Sequence, residues 1–177
     1  MSVYDNFVIA GEPDSRFRCA SGHPVIDMQS KDFDCAMLTY RVFGGKIYVS
    51  KRDGLFSDDL PASSVHVQDG NLIVTERTIH TQVRTSVSAR VYTHCEMCEP
   101  VMTVSSRGSW HGDICEEWRP WCEFQILYRD GEITEVNPLR VETREAVRKG
   151  LRERGLKDLL DDDPLVIVHR QRKAKDS

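Results

Sequence analysis

Thr93-His94-Cys95-Glu96-Met97-Cys98-Glu99-Pro100 places two thiols two residues apart in a turn that follows a long alternating stretch. A C-x2-C turn of this kind presents two thiolates to one point, which is half of a tetrahedral zinc site. The other half must come from elsewhere in the chain. Phe17-Arg18-Cys19-Ala20-Ser21-Gly22-His23-Pro24 offers Cys19 and His23 on a second Gly-containing turn, and Cys35 is the alternative to His23. The reading is a metal set of Cys19, His23, Cys95 and Cys98 closing a β-rich protein. Two other chemistries remain open for the same residues. Buried free cysteines pack as small apolar side chains, and a CxxC pair can cycle between dithiol and disulfide.

Upstream of the knuckle, from Ile73 to Thr93, odd positions are apolar or Thr, apart from Arg77, and even positions are mostly polar or charged. Period-two alternation of this kind is half-buried antiparallel sheet. The run is too long for one typical strand, so a bend or bulge is expected near Thr81. Gly44-Gly45, Asp69-Gly70-Asn71 and Asp130-Gly131 each sit between strand-like segments and read as hairpin turns. Asn137-Pro138 is expected to end the sheet, and Arg107 to Pro120 reads as a loop. Cys35 to Val49 and Cys122 to Val136 share an order of cysteine, strand, Gly turn and strand, which hints at two similarly built halves.

Past residue 139 the pattern changes. Thr143 can N-cap a helix ending near Arg154 with Gly155 behind it. Asp163-Pro164 starts a second helix, to about Arg172, followed by a frayed tail. The expected architecture is therefore α+β: mostly antiparallel sheet over residues 1–139, with one or two short helices packed on it from residues 140–177 and a zinc staple.

Composition narrows the function. With 177 residues and 29% charged side chains, the chain can bury about 70% of its unfolded surface, so a metal would supplement a real core. No stretch approaches the roughly 18 apolar residues of a membrane span, and the N-terminus lacks a basic-then-apolar leader. The expected location is cytoplasmic, where six cysteines stay reduced. The net charge of −4 is uneven. Residues 140–177 carry 11 Lys and Arg against 8 Asp and Glu, leaving 13 against 20 in residues 1–139. Phosphate neutralisation needs clustered cations, so a nucleic-acid partner is disfavoured.

The loop Ser109-Trp110-His111-Gly112-Asp113-Ile114-Cys115-Glu116-Glu117-Trp118-Arg119-Pro120-Trp121-Cys122 holds all three tryptophans. Trp110, His111, Trp118 and Trp121 form a candidate binding surface, since large rings anchor interfaces. The plainer reading is that the rings staple a loop to the sheet. His111 beside Asp113, Glu116 and Glu117 also permits acid–base or metal-assisted hydrolysis. Walker, dinucleotide, HExxH and G-x-S-x-G fingerprints do not occur in the sequence.

The segments MSVYDNF, CASGH and MQSKDFDC, followed by a strand with Tyr40 and Gly45, resemble a group of uncharacterised small bacterial and phage proteins. The resemblance covers about the first 50 residues and implies no activity. It departs at Ser21, where the group's knuckle carries its second cysteine. The function expected is that of a non-enzymatic binding or adaptor protein, phage-related, with structural zinc and a protein partner. A small hydrolase using the His111 loop is the runner-up, and a zinc-ribbon nucleic-acid binder the third.

Overall fold

Short runs of alternating apolar residues, punctuated by Gly turns, build most of the chain into strands. A computed structural model describes residues 4–33, 37–50, 66–68, 71–75, 78–83, 86–106 and 113–176. The chain forms two compact units, Met1–Thr93 with Trp121–Val141, and His94–Pro120 with Glu142–Ser177.

The first unit contains β1 (Asp5–Ile9), β2 (Asp27–Ser30), β3 (Thr39–Phe43), β4 (Lys46–Ser50), β5 (His66–Gln68), β6 (Asn71–Thr75), β7 (Thr78–Gln82) and β8 (Val87–His94). After two strands of the second unit, β9 (Val101–Ser106) and β10 (Asp113–Trp118), it resumes with β11 (Trp121–Arg129) and β12 (Glu132–Val141). Strand order is β12-β11-β8-β2-β1-β3-β4, and β4 pairs back onto β12, so seven strands close into a barrel-like sheet. Pairing is mostly antiparallel; β1 against β3 is parallel. The far half of β4 pairs with β7, from which β6 and β5 continue outward.

Alternation along β11 puts Cys122, Phe124, Ile126 and Tyr128 inside and Trp121, Glu123, Gln125 and Leu127 on the other face. Phe7, Ile47, Val91 and Ile126 are fully buried in the same core. Rings fill it: Phe17 meets Phe124 edge-on at 5.4 Å, and Phe33 stacks on Tyr40 at 4.2 Å. Offset and edge geometries of this kind add to burial rather than merely filling space.

Barrel closure is reciprocal. The Ile47 amide donates to the Gly131 carbonyl at 2.6 Å, and the Ile133 amide donates to the Gly45 carbonyl at 2.7 Å. The two hairpin tips match in shape, with φ of 57° and 77° at Gly44 and Gly45, and 51° and 74° at Asp130 and Gly131. Two consecutive positive φ values are what a two-residue hairpin turn needs to follow strand twist. The seam between β2 and β8 is narrow, as is that of β4 and β12, which pair at Glu132 and Lys46. Among the described residues one register pair, Gln29 with Tyr92, joins β2 and β8. Beside it the Ser30 hydroxyl donates to the Arg90 carbonyl at 2.7 Å, and Asp32 accepts from the Arg90 amide at 2.9 Å.

Several expectations need correction. The alternating run from Ile73 to Thr93 is not one bent strand but β6, β7 and β8, with β6 and β7 antiparallel. A bulge between Ile73 and Thr75 sets Ile73 opposite Ile79. The odd positions therefore stay in step through the reversal, and alternation alone could not reveal it. Asn137-Pro138 does not end the sheet. β12 passes through it because a register shift between Glu123 and Phe124 leaves Leu139 as the extra residue, 50% exposed. Proline, which has no N–H to donate, is tolerated at such a bulge.

The second unit contains β9 (Val101–Ser106), β10 (Asp113–Trp118), α1 (Arg144–Glu153), β13 (Asp158–Leu159) and α2 (Pro164–Asp176). Residues 113–118, expected in a loop, pair with β9 from Asp113↔Ser106 to Trp118↔Val101, and β13 lies on the other edge of β9. This pairing groups residues 94–120 with the helices, not with the sheet of residues 1–139. The Thr143 hydroxyl accepts from the Ala146 amide at 3.1 Å, the N-cap that opens α1. Gly155, at φ 74°, follows its end. Leu151 and Val166 are the fully buried contacts of the two helices. α2 runs four residues beyond Arg172, because nothing in QRKAKD breaks a helix. Among the described residues no helix is long and apolar enough to cross a membrane.

Candidate metal centre

Two turns present the ligands. In the first, the Cys19 amide donates to the His23 carbonyl at 3.0 Å and the Gly22 amide to the Cys19 carbonyl at 2.9 Å. The flanks meet at an isolated bridge between Arg18 and Pro24. Arg18 reaches over the turn, its Nη1 donating to the Gly22 carbonyl at 2.7 Å. Gly22 sits at φ 81°, in left-handed space that glycine enters without strain. In the second turn the Cys98 amide donates to the Cys95 carbonyl at 3.3 Å, and the Cys95 amide to the Pro120 carbonyl at 2.9 Å. Both turns are short and internally bonded, so the ligands are aimed by backbone and not by long side chains.

The ligand atoms of Cys19, His23, Cys95 and Cys98 all lie within 4.8 Å of one another. The three thiols are buried and in no disulfide; His23 is half-buried. A tetrahedral zinc ion with thiolates at about 2.3 Å and imidazole at about 2.0 Å spaces its ligand atoms by roughly 3.5–3.8 Å. A limit of 4.8 Å is within about 1 Å of that spacing, so the four donors are close enough to share one such ion. The donor set is soft, with three sulfurs and one nitrogen, and it is complete at four. Soft thiolate sites select zinc, copper(I) or iron–sulfur centres over magnesium or calcium. Cys35, the alternative to His23, lies outside the described residues.

The second turn has a further support that its sequence did not announce. Arg119 Nη1 donates to the carbonyls of Glu96 at 2.7 Å and Cys98 at 2.6 Å. Its Nε lies 3.4 Å from the Glu96 carboxylate, and Nη2 donates to Glu117 at 3.2 Å. Glu117 in turn accepts from Lys173 of α2 at 2.9 Å and stands 3.1 Å from His169 Nε2. Burial pushes the Glu117 carboxyl up, but the hydrogen bonds from Lys173 and His169, with the charges of Lys173 and Arg119, outweigh it. The result lies below the ordinary carboxylate range, and Glu117 stays ionised. Glu99, next to Cys98, is held by Arg144 at 2.8 Å and Arg170 at 3.4 Å; Arg170 also binds Asp161 at 2.8 Å. Two helices thus hold the residue beside a ligand. The lone sequence hint was an arginine among acids directly after Trp118.

The candidate binding surface divides. The Trp118 indole donates to the Thr103 hydroxyl at 2.8 Å, and the Arg154 guanidinium lies 5.4 Å from its ring centre. That is a staple within the second unit. Trp121 stacks on Tyr92 at 5.3 Å on the outer face of the barrel sheet. Trp110 and His111 lie outside the described residues, whereas Asp113, Glu116 and Glu117 of the same stretch lie on β10. Cys115 is half-buried, and its thiol is pushed up by burial and then by the Asp163 charge, which keeps it protonated. Cys122 is fully buried in the barrel. Compared with known proteins, the chain matches no family model, no curated protein and no solved structure.

Proposed function

We propose that Cys19, His23, Cys95 and Cys98 hold one structural zinc ion, and that the protein is a non-enzymatic binding or adaptor protein of the phage-related kind. The observation that carries the metal reading is the convergence of three buried thiols and one imidazole, drawn from two turns about 70 residues apart, within 4.8 Å. Four protein donors fill a tetrahedral ion, leaving no position for a water or substrate, and closed sites of this composition are structural. Reduced thiols at that spacing favour a reducing, cytoplasmic setting. The binding reading draws on the Tyr92–Trp121 stack, an aromatic pair on the outer sheet face beside Arg90 and Glu123. Stacked rings with a charged rim suit a protein partner.

Elemental analysis of protein purified without added metal tests the first half. About one zinc per chain is expected, and none after Cys95→Ser or Cys98→Ser. Protein that is folded, fully reduced and metal-free would overturn it. For the second half, Trp121→Ala should weaken capture of a partner at unchanged melting temperature, whereas Trp118→Ala should lower the melting temperature. The reverse pattern would remove the surface from consideration.

A further inference from the structure

We propose that Arg119 is a positioning residue of the metal site, and that through Glu117 it makes the docking of α2 part of what retains the ion. The inference rests on the zinc reading of the Cys19–His23–Cys95–Cys98 cluster.

A C-x2-C turn binds metal only while its two sulfurs point the same way, and that depends on the path of the backbone between them. Here the carbonyls of Glu96 and Cys98 both accept from one guanidinium nitrogen, at 2.7 and 2.6 Å. The guanidinium is planar and its donors are fixed in angle, so it sets the relative orientation of the two peptide groups. Its side chain is 19% exposed, which keeps water from competing for those carbonyls. Charge adds to geometry. Three thiolates, a neutral imidazole and a divalent ion sum to one negative charge, and the Arg119 cation stands against the turn that carries two of those thiolates. Partners behind the ligands commonly change metal affinity by about 10–100-fold.

Arg119 is itself held. Glu117 takes Nη2 at 3.2 Å on the same carboxylate oxygen that receives Lys173 at 2.9 Å, while its other oxygen faces His169 at 3.1 Å. Both of those residues are on α2, one turn apart, on the side that buries Val166. The sequence of contacts is α2, Glu117, Arg119, then the peptide carbonyls of the Cys95–Cys98 turn. Coupling between two events is reciprocal when both bias one element. Undocking α2 should therefore speed metal loss, and metal loss should loosen α2.

The test loads full-length protein and its variants with zinc and follows release to an excess of a chromogenic chelator. Arg119→Met should release at least about tenfold faster than the parent. Arg119→Lys, which keeps the charge but not the fork, should fall between. Lys173→Met should speed release by a smaller factor, because Lys173 acts on the turn through Glu117. Leu151→Ala is the control, because it weakens the second unit's core without touching this relay. Cobalt loading gives an independent readout: a changed d–d spectrum in Arg119→Met reports altered ligand geometry. Should Arg119→Met fail to fold, Arg119→Lys and Lys173→Met decide the matter. Release rates that match the parent in those two, or that follow melting temperature equally in Leu151→Ala, overturn the proposal. A parent that takes up no metal overturns the zinc reading itself, so the two failures are distinguishable.

Discussion

Removing the metal should cost the protein a stability that can be worked out before it is measured. The ion would tie residues 19–23 to residues 95–98 and close a loop of about 70 residues. If a metal crosslink restricts the unfolded chain as a disulfide does, closure of a loop this long contributes about 4.4 kcal/mol at 25 °C. Mass action reaches the same order once free zinc stands at a thousandfold its Kd, about 4.1 kcal/mol. Unfolding entropy of about 2.1 cal/mol/K per residue gives a 177-residue chain roughly 0.37 kcal/mol/K. A loss of about 4 kcal/mol then lowers the midpoint by roughly 11 °C. The assay is a reversible thermal melt, in reductant, with and without chelator, on the parent and on Cys95→Ser. The parent should drop by that amount on chelation, and the variant should start low and not respond. A parent midpoint that moves by under about 2 °C after its metal is shown to be gone would refute the reasoning, because the turns would then be holding themselves.

Three smaller expectations follow from single residues. Glu117 has a carboxyl held below its ordinary value of 4.5, so its contribution is complete above that value and is lost as pH falls through the lower folded value. α2 amides should therefore lose protection, relative to their intrinsic exchange rates, at acid pH, and Glu117→Gln should remove that dependence. On β11, Ile126→Ala should destabilise by about 2–5 kcal/mol while Gln125→Ala changes stability by under about 0.5 kcal/mol, as chemical denaturation will show; equal effects would mean the register is wrong. Gly22→Ala meets nothing within 4 Å of the added carbon, so its cost is the backbone's alone, about 1–2 kcal/mol at positive φ, read as a lower melting temperature and weaker zinc retention.

What could be read in the sequence follows the range of the physics involved. Hairpins at Gly44-Gly45 and Asp130-Gly131 were legible because positive φ is a local demand that few residues meet. The Thr143 cap and the Asp163-Pro164 start were legible for the same reason. The metal set was approachable through donor type and count, since a C-x2-C turn is visibly incomplete and Cys19 with His23 supplies what it lacks. Barrel closure was not, because a bond from Ile133 to Gly45 leaves no mark in either neighbourhood. Nor was the β6–β7 reversal, whose bulge kept the alternation in phase. The Arg119 clamp was hidden for a different reason: backbone carbonyls are its acceptors, and any residue supplies those. Trp118 and Trp121 looked like one aromatic cluster in sequence, yet one is bonded to Thr103 and the other stacked on Tyr92.

The narrow seams of the closed sheet have a kinetic meaning. Where the seven strands close, no edge is free for another strand to join, so that part of the sheet can be invaded only where it opens first. Opening should begin at a seam that one register pair spans, Gln29 with Tyr92 between β2 and β8 or Glu132 with Lys46 between β4 and β12, and at the latter two tight turns also trade hydrogen bonds. Local opening of this kind sets which amides exchange at low free energy and which wait for global unfolding. The strands beside such a seam are therefore the places where a transient edge would be exposed, and where self-association under heat or mild denaturant would start. Ser30 and Asp32, by binding Arg90 across the β2–β8 seam, act as the latch that keeps its edge out of reach.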